Sequence, residues 1–275
     1  MKQIWWIVIC VCTTLLALSS NCPSDVAVTY LSTIDPVPRN ESSAPLPKWV
    51  TGTPHDFALE MKKGSKGLTD KVNHRHLFQY IYQPNLARLV VDKMSSSSRK
   101  IRMLEIGFGC APSGGMIGGQ PGGSAFGWRY LFDQVVDIEF ELYVFELDEK
   151  CVTNWYERNP AIAKQVFAGD ASSGEDLNRA YEEFGGSPFD VIIDDASHIN
   201  WHQIKTLDTM LPRVDVGSFF VMEDIQSACH GWTVSSALIT CDNTSHGNST
   251  NNYSMSTRQI WGPTWARMWV VLATA

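Results

Sequence analysis

The chain has 275 residues, 44% of them hydrophobic and 11% aromatic, with a formal net charge of −7. That is enough apolar material for one large domain core, or one domain with extended ends. An acidic chain without a dense Lys/Arg run has no general attraction for nucleic acid; Lys62, Lys63 and Lys66 read as a solvated turn.

The N-terminal stretch "MKQIWWIVICVCTTLLALSSNC" carries Lys2 and then an apolar run from Ile4 to Leu18. That run is short for a membrane-spanning helix, which needs about 20 residues. It matches a secretory leader over residues 1–19, with small residues at Ala17-Leu18-Ser19 for cleavage. A cleaved signal peptide is favoured over an uncleaved signal anchor, and membrane contact is expected only through this segment. Sequons at Asn40, Asn243, Asn248 and Asn252 agree with entry into the secretory pathway, as a secreted or a Golgi/ER-lumen glycoprotein. Of seven cysteines, Cys10 and Cys12 lie in the leader, leaving Cys22, Cys110, Cys151, Cys229 and Cys241. One disulfide is compatible with that set, but the spacing does not define it, and there is no zinc pattern.

Residues 20–58 hold six prolines and read as an extended stem or linker. Residues 59–100 read as a helical extension, with Leu77, Tyr80, Ile81, Leu86, Leu89 and Val90 near helical spacing and Pro84 breaking or starting a helix. Over 101–239, strands alternate with helix-length segments. The strands are "IRMLEIGFG", "ELYVFELDEK", "KQVFAGDAS", "FDVIIDDASH" and "SFFVMEDIQ". The helices are placed at Gly127–Val135, Cys151–Asn159, Gly174–Phe184 and Asn200–Leu211. This alternation predicts an α/β, doubly wound, mostly parallel sheet that binds ligands at the carboxyl ends of its strands. Residues 240–275 read as a low-complexity loop and a tail. "IWGPTWARMWVVLATA" is either a final strand or a nonpolar tail, which leaves the completeness of the C-terminal strands open.

The polar residues cluster at the strand ends. "LEIGFGC" ends a strand in an acid and then a Gly-x-Gly turn, which lets backbone approach a ligand closely. The third glycine of a dinucleotide fingerprint is absent, which argues against a nucleotide-dependent oxidoreductase and for a ligand without a pyrophosphate. Glu146, with Asp148 as second choice, can accept from ribose hydroxyls; Asp148 is better explained as a helix cap. Asp170 either accepts from an adenine amino group or caps a helix. Asp194 and Asp195 end the fourth strand, and Glu223 and Asp224 end the fifth. Neighbouring strands lie about 5 Å apart. Carboxylates so close raise one another's pKa unless a cation neutralises them, and oxygen ligands suit Mg²⁺, Mn²⁺ or Ca²⁺. His198 stands where it can take a proton beside such an ion, and His202 reads as structural.

The run LEIGFG, FELDEK, GDAS, FDVIIDDASH and VMEDIQ, over residues 66–227, resembles the class I S-adenosylmethionine-dependent methyltransferases. More narrowly, it resembles the metal-dependent macrocin/mycinamicin-type sugar O-methyltransferases and their eukaryotic relatives. "GLTDKVNHRH" is similar to that family's Thr-Asp-Lys segment, and "PGGSAFGW" to its second glycine segment. The chain departs from the pattern at Ala196, where glycine is usual, and around His74 and His76.

The resemblance implies a Rossmann-like fold and transfer of a methyl group to a sugar or polyol hydroxyl of a small molecule or glycan. It implies that Glu105, Gly107 and Gly109, with Gly123 and Ser124, line the methionine part of S-adenosylmethionine. Glu146 would hold the ribose, Asp170 and Ala171 the adenine, and Asp194 would stand on the cofactor side. Asp195, Glu223 and Asp224 would bind Mg²⁺ (or Mn²⁺), and His198 would be the general base. The alternative is a catalytically inactive protein of this fold with a glycan-binding or structural role.

Overall fold

The computed structural model describes residues 45–72, 77–110 and 120–224, together with the backbone of four short strands beyond. The leader, the sequons, His74, His76, and Cys22, Cys229 and Cys241 lie outside the described residues. Among the described residues no helix is long and apolar enough to cross a membrane.

Five strands form the centre: β1 (Lys100–Ile106), β2 (Glu139–Glu146), β3 (Gln165–Ala168), β4 (Phe189–Asp194) and β5 (Val214–Met222). All four pairings among them are parallel. After β5 come β6 (Trp232–Val234) and β7 (Ala237–Ile239), an antiparallel pair of their own, then β8 (Ile260–Trp261) and β9 (Arg267–Leu272). The main sheet has the order β3-β2-β1-β4-β5-β9-β8, with β9 antiparallel to both β5 and β8. The apolar C-terminal run is therefore a strand rather than a tail, and the antiparallel pair that closes such a sheet is formed.

The strands alternate their faces, and that alternation builds two cores. Met103, Leu142, Val144, Val191, Ile193, Phe219 and Val221 face one way. They pack against helices α1 (Lys48–Thr51), α2 (Pro54–Gly64), α3 (Gln79–Ser95), α4 (Gly123–Asp133) and α5 (Glu149–Arg158). Leu104, Ile106, Tyr143, Ile192, Phe220 and Met222 face the other way, against α6 (Gly174–Glu183) and α7 (Asn200–Met210).

The stem read over residues 20–58 does not reach that far as a linker. Residues 48–51 and 54–64 are helical, and Trp49, Val50 and Phe57 are buried. Thr53 and Asp56 form a capping box at the start of α2, with Pro54 in its first turn, where a proline has no helical hydrogen bond to lose. Pro47 and Pro54 stand at the starts of α1 and α2. Pro84 neither starts nor breaks a helix, because α3 runs through it. The N–H it lacks would have bonded the Tyr80 carbonyl, and Tyr80 is exposed enough for water to serve instead.

Trp49 ties the first helix to the body. Its indole N–H donates to the Leu131 carbonyl at 2.9 Å, and its ring meets Phe57 and Phe132 edge-on. Trp49→Ala should cost about 3–5 kcal/mol of unfolding free energy by urea titration. A change below about 1 kcal/mol would mean that this segment does not belong to the core.

Candidate active site

The register of the central strands sets the site. Ile106, Asp194 and Met222 stand in one row of β1, β4 and β5, so Gly107, Asp195 and Glu223 emerge side by side at the carboxyl edge. The next backbone groups continue the ladder: Asp195 N–H donates to the Ile106 carbonyl at 2.8 Å and Glu223 N–H to the Asp194 carbonyl at 2.9 Å. Gly107 has φ +89, and a Cβ there would lie 2.2 Å from the Asp195 carbonyl oxygen. Only glycine lets β1 turn against β4 this closely.

Above this edge lies a cavity of about 610 Å³. Its wall includes Gly107, Gly109, Gly123, Ser124, Glu146, Asp170 and Ala171, together with Asp195, His198 and Asp224. Glu146 accepts backbone N–H groups of Phe108, Leu147 and Asp148 at 2.7–3.1 Å, which fixes its carboxylate at the end of β2. Asp148 caps α5 through the Cys151 N–H at 2.9 Å. Asp170 accepts the Ser172 N–H, and that backbone bond holds its carboxyl below the usual range. Cys110 and Cys151 form a disulfide, which ties the glycine turn after β1 to the start of α5.

Glu105, Asp194 and Glu223 do not reach this wall. Asp194 shares its row with Ile106 and Met222, whose side chains face α6 and α7, so it is buried beneath the edge. Glu105 lies on the opposite face and is buried within 3.4 Å of the Lys71 ammonium. Glu223 turns inward: one oxygen is 2.8 Å from Lys71 Nζ, and the other accepts the Tyr82 hydroxyl. The side-chain directions of Glu105 and Asp194 follow from the pleat, so neither carboxylate faces a ligand in the cavity. Among the described residues, Asp195, His198 and Asp224 have ligand atoms within 4.8 Å of one another, close enough to share a metal ion. His198 Nε2 is 3.9 Å from Asp195 Oδ1 and 3.8 Å from Asp224 Oδ2.

Both His198 (φ 57) and Asp224 (φ 49) hold left-handed backbone, which non-glycine residues adopt only when their surroundings enforce it. His202, one helical turn on, is held by the Ser197 hydroxyl at 2.7 Å from Nδ1.

The charges are unbalanced. Burial pushes Asp224 up to about 7, and the nearby Asp195 adds to the rise. Asp224 Oδ1 and His198 Nδ1 are buried without a hydrogen-bond partner among the described residues. Burial opposes the Lys71 ammonium, but Asp195, Glu223 and Glu105 outweigh it and hold Lys71 well above its ordinary value. A divalent cation between Asp195 and Asp224 would offset the remaining negative charge, so these residues fit Mg²⁺ or Mn²⁺. Lys71 and Tyr82 were not among the residues singled out in the sequence. The only signal was the Thr-Asp-Lys segment, because burial of a lysine does not show in local pattern.

No family model matches the chain. It is 29% identical over 185 residues to 8-demethyl-8-(2-methoxy-alpha-L-rhamnosyl)-tetracenomycin-C 3'-O-methyltransferase of Streptomyces olivaceus, covering 66% of this chain and 40% of that one. It is 34% identical over 157 residues to L-olivosyl-oleandolide 3-O-methyltransferase of Streptomyces antibioticus, covering 57% of this chain and 34% of that one. It is also 29% identical over 133 residues to mycinamicin VI 2''-O-methyltransferase of Micromonospora griseorubida and to demethylmacrocin O-methyltransferase of Streptomyces fradiae, covering 48% of this chain and 29% of each. The chain has a class I methyltransferase fold: the MycE methyltransferase from the mycinamycin biosynthetic pathway, in complex with Mg and SAH, superposes with a TM-score of 0.52 at 21% identity, covering 79% of this chain and 53% of that one. The chain spans less than half the length of the curated sugar O-methyltransferases it matches.

Burial pushes Asp194 up to about 7, with Asp195 adding to the rise. The folded chain therefore holds this proton after the unfolded chain has lost it. Without metal, stability should fall as pH rises from 3.8 to about 7. Asp194→Asn should remove up to about 4 kcal/mol of that fall. Thermal unfolding in EDTA at pH 5 and pH 8 reads this; equal pH sensitivity of the two proteins would contradict it.

Proposed function

We propose that the protein is an S-adenosylmethionine-dependent O-methyltransferase that acts on a sugar or polyol hydroxyl with the aid of a divalent cation. The observation that carries this reading is one cavity lined both by the glycine turns, Glu146 and Asp170 and by Asp195, Asp224 and His198. The named sugar O-methyltransferases among its relatives support the substrate class.

When bound, S-adenosylmethionine supplies an electrophilic methyl group, and Mg²⁺ or Mn²⁺ lowers the pKa of a neighbouring hydroxyl. The chain's own part is to orient and to move a proton. Gly107 and Gly109 let backbone approach the methionine portion, with Gly123 and Ser124 beside them. Glu146, fixed by three backbone N–H groups, holds the ribose, and Asp170 with Ala171 borders the adenine. Asp195 and Asp224 hold the cation. His198 Nε2 would take the proton of the acceptor hydroxyl. Most of the rate gain would come from this alignment and from charge stabilisation.

The compartment belongs to the same proposal. A disulfide between Cys110 and Cys151 favours an oxidising lumen, in agreement with the leader and the sequons. Such a location would make glycans the accessible acceptors.

Calorimetry with S-adenosylhomocysteine, and methyl transfer to a panel of glycosides with Mg²⁺ or EDTA, test the reading. Binding should be micromolar or tighter, and transfer should need the cation. His198→Ala should lower transfer at least about 100-fold while leaving cofactor affinity unchanged. Well-folded protein that binds no cofactor would overturn the reading. Binding without transfer to any acceptor would favour the inactive alternative.

A further inference from the structure

The Cys110–Cys151 disulfide stands at the wall of the cavity, and the proposed reaction gives it no part. Cys110 lines that wall at the end of the turn 107–110. Cys151 lies in the first turn of α5, shortly after Glu146, Leu147 and Asp148, which line the same wall. The disulfide therefore joins the two segments that the cofactor reading places around the methionine portion and the ribose. Glu146 bridges the same segments without a covalent bond, since its carboxylate accepts the Phe108 N–H at 2.8 Å and the Leu147 N–H at 2.7 Å.

The turn does not hold its own shape. Gly107 and Gly109 have φ +89 and +78, and glycine enters and leaves that region at little cost. Its position is set by what it is tied to. The Gly107 N–H donates to the Phe145 carbonyl at 2.9 Å, and the Phe108 carbonyl accepts the Gly122 N–H at 3.1 Å. The Phe108 ring meets Trp155 of α5 edge-on, with ring centres 4.6 Å apart. These ties, like the bond to Glu146, act at the first half of the turn. Cys110 adds a covalent tie at its far end, again to α5.

We propose that Cys110 and Cys151 are positioning residues whose disulfide sets the affinity for S-adenosylmethionine, so that the cofactor site is linked to their redox state. The inference rests on the cofactor reading above. Reduction by a dithiol breaks the S–S bond and leaves two thiols; the two electrons and two protons come from the dithiol, which closes to its own disulfide. The far end of the turn is then released from α5, and part of the binding free energy goes into ordering it again. The linkage acts in both directions. If reduction weakens cofactor binding by some factor, bound cofactor makes the disulfide harder to reduce by the same factor. The chain would bind its methyl donor well only where the disulfide is kept.

Calorimetry with S-adenosylhomocysteine on the full chain tests this, with and without dithiothreitol, at a temperature where circular dichroism shows both forms folded. The oxidised protein should bind at least about 10-fold more tightly than the reduced one, a coupling of ordinary size. The double variant Cys110→Ser, Cys151→Ser should bind as the reduced wild type does, and dithiothreitol should change nothing further. Thiol alkylation and peptide mapping over a series of dithiothreitol ratios read the converse. Saturating S-adenosylhomocysteine should shift Cys110 and Cys151 toward the disulfide by that same factor. A disulfide that only restricts the unfolded chain would lower Tm and leave the affinities within about twofold of each other; that result would overturn the inference and leave the cofactor reading in place. An equal loss when dithiothreitol is added to the double variant would overturn it as well, as would a reduced wild type that folds at no temperature. Oxidised protein that binds no S-adenosylhomocysteine would overturn the cofactor reading and the inference with it. If the double variant does not fold, the two redox forms of the wild type still decide.

Discussion

The site depends on carboxylates crowded at the carboxyl edge of a parallel sheet. Parallel strands in register bring their ends together, and the ends of β1, β4 and β5 carry Glu105, Asp194, Asp195, Glu223 and Asp224. Several of these are buried, where an unpaired charge is costly and shifts its pKa instead. The structure answers with one internal ammonium and with hydroxyl and backbone donors. It still leaves Asp224 displaced to about 7. What remains is a local excess of negative charge facing a cavity, which is the setting in which a divalent ion binds.

The fold delivers that crowding through a few close approaches. Gly107 lets the chain leave β1 against the Asp195 backbone, and Gly123 lets α4 begin against the Leu68 carbonyl, 2.3 Å from where a Cβ would sit. The second approach brings the loop carrying Lys71 over the strand ends. The early helices are therefore part of the site's architecture. Trp49, Phe57, Tyr82 and Trp128 pack as one aromatic cluster behind it, and Tyr82 extends from that cluster to Glu223. Left-handed backbone at His198 and Asp224 completes the outer face. Strain of that kind persists where surrounding packing over-determines it.

Much of this was legible in the chain. The five parallel strands and the helices between them follow from apolar runs ended by glycine or acid, and the observed elements differ from the expected ones mainly at their boundaries. The cavity-facing glycines, Glu146, Asp170, Asp195, His198 and Asp224 sit at strand ends, where a doubly wound sheet places its ligands. Three kinds of fact were not legible. The direction of Glu105 and Asp194 depends on the pleat, and a shift of one residue moves a side chain to the other face. The burial of Lys71 is tertiary, because a lone lysine in a polar loop looks solvated until the loop is laid over the sheet. The partner of Cys110 is a matter of where α5 lies, and spacing along the chain does not state it.

The proposed function stands or falls on whether this edge holds a methyl donor and a divalent ion side by side. Crystals grown with S-adenosylhomocysteine and Mn²⁺, measured for manganese anomalous scattering, test it most directly. The reading requires one anomalous peak about 2.0–2.6 Å from oxygens of Asp195 and Asp224, beside His198, with the nucleoside between Glu146 and Asp170. No peak at the strand ends would contradict it.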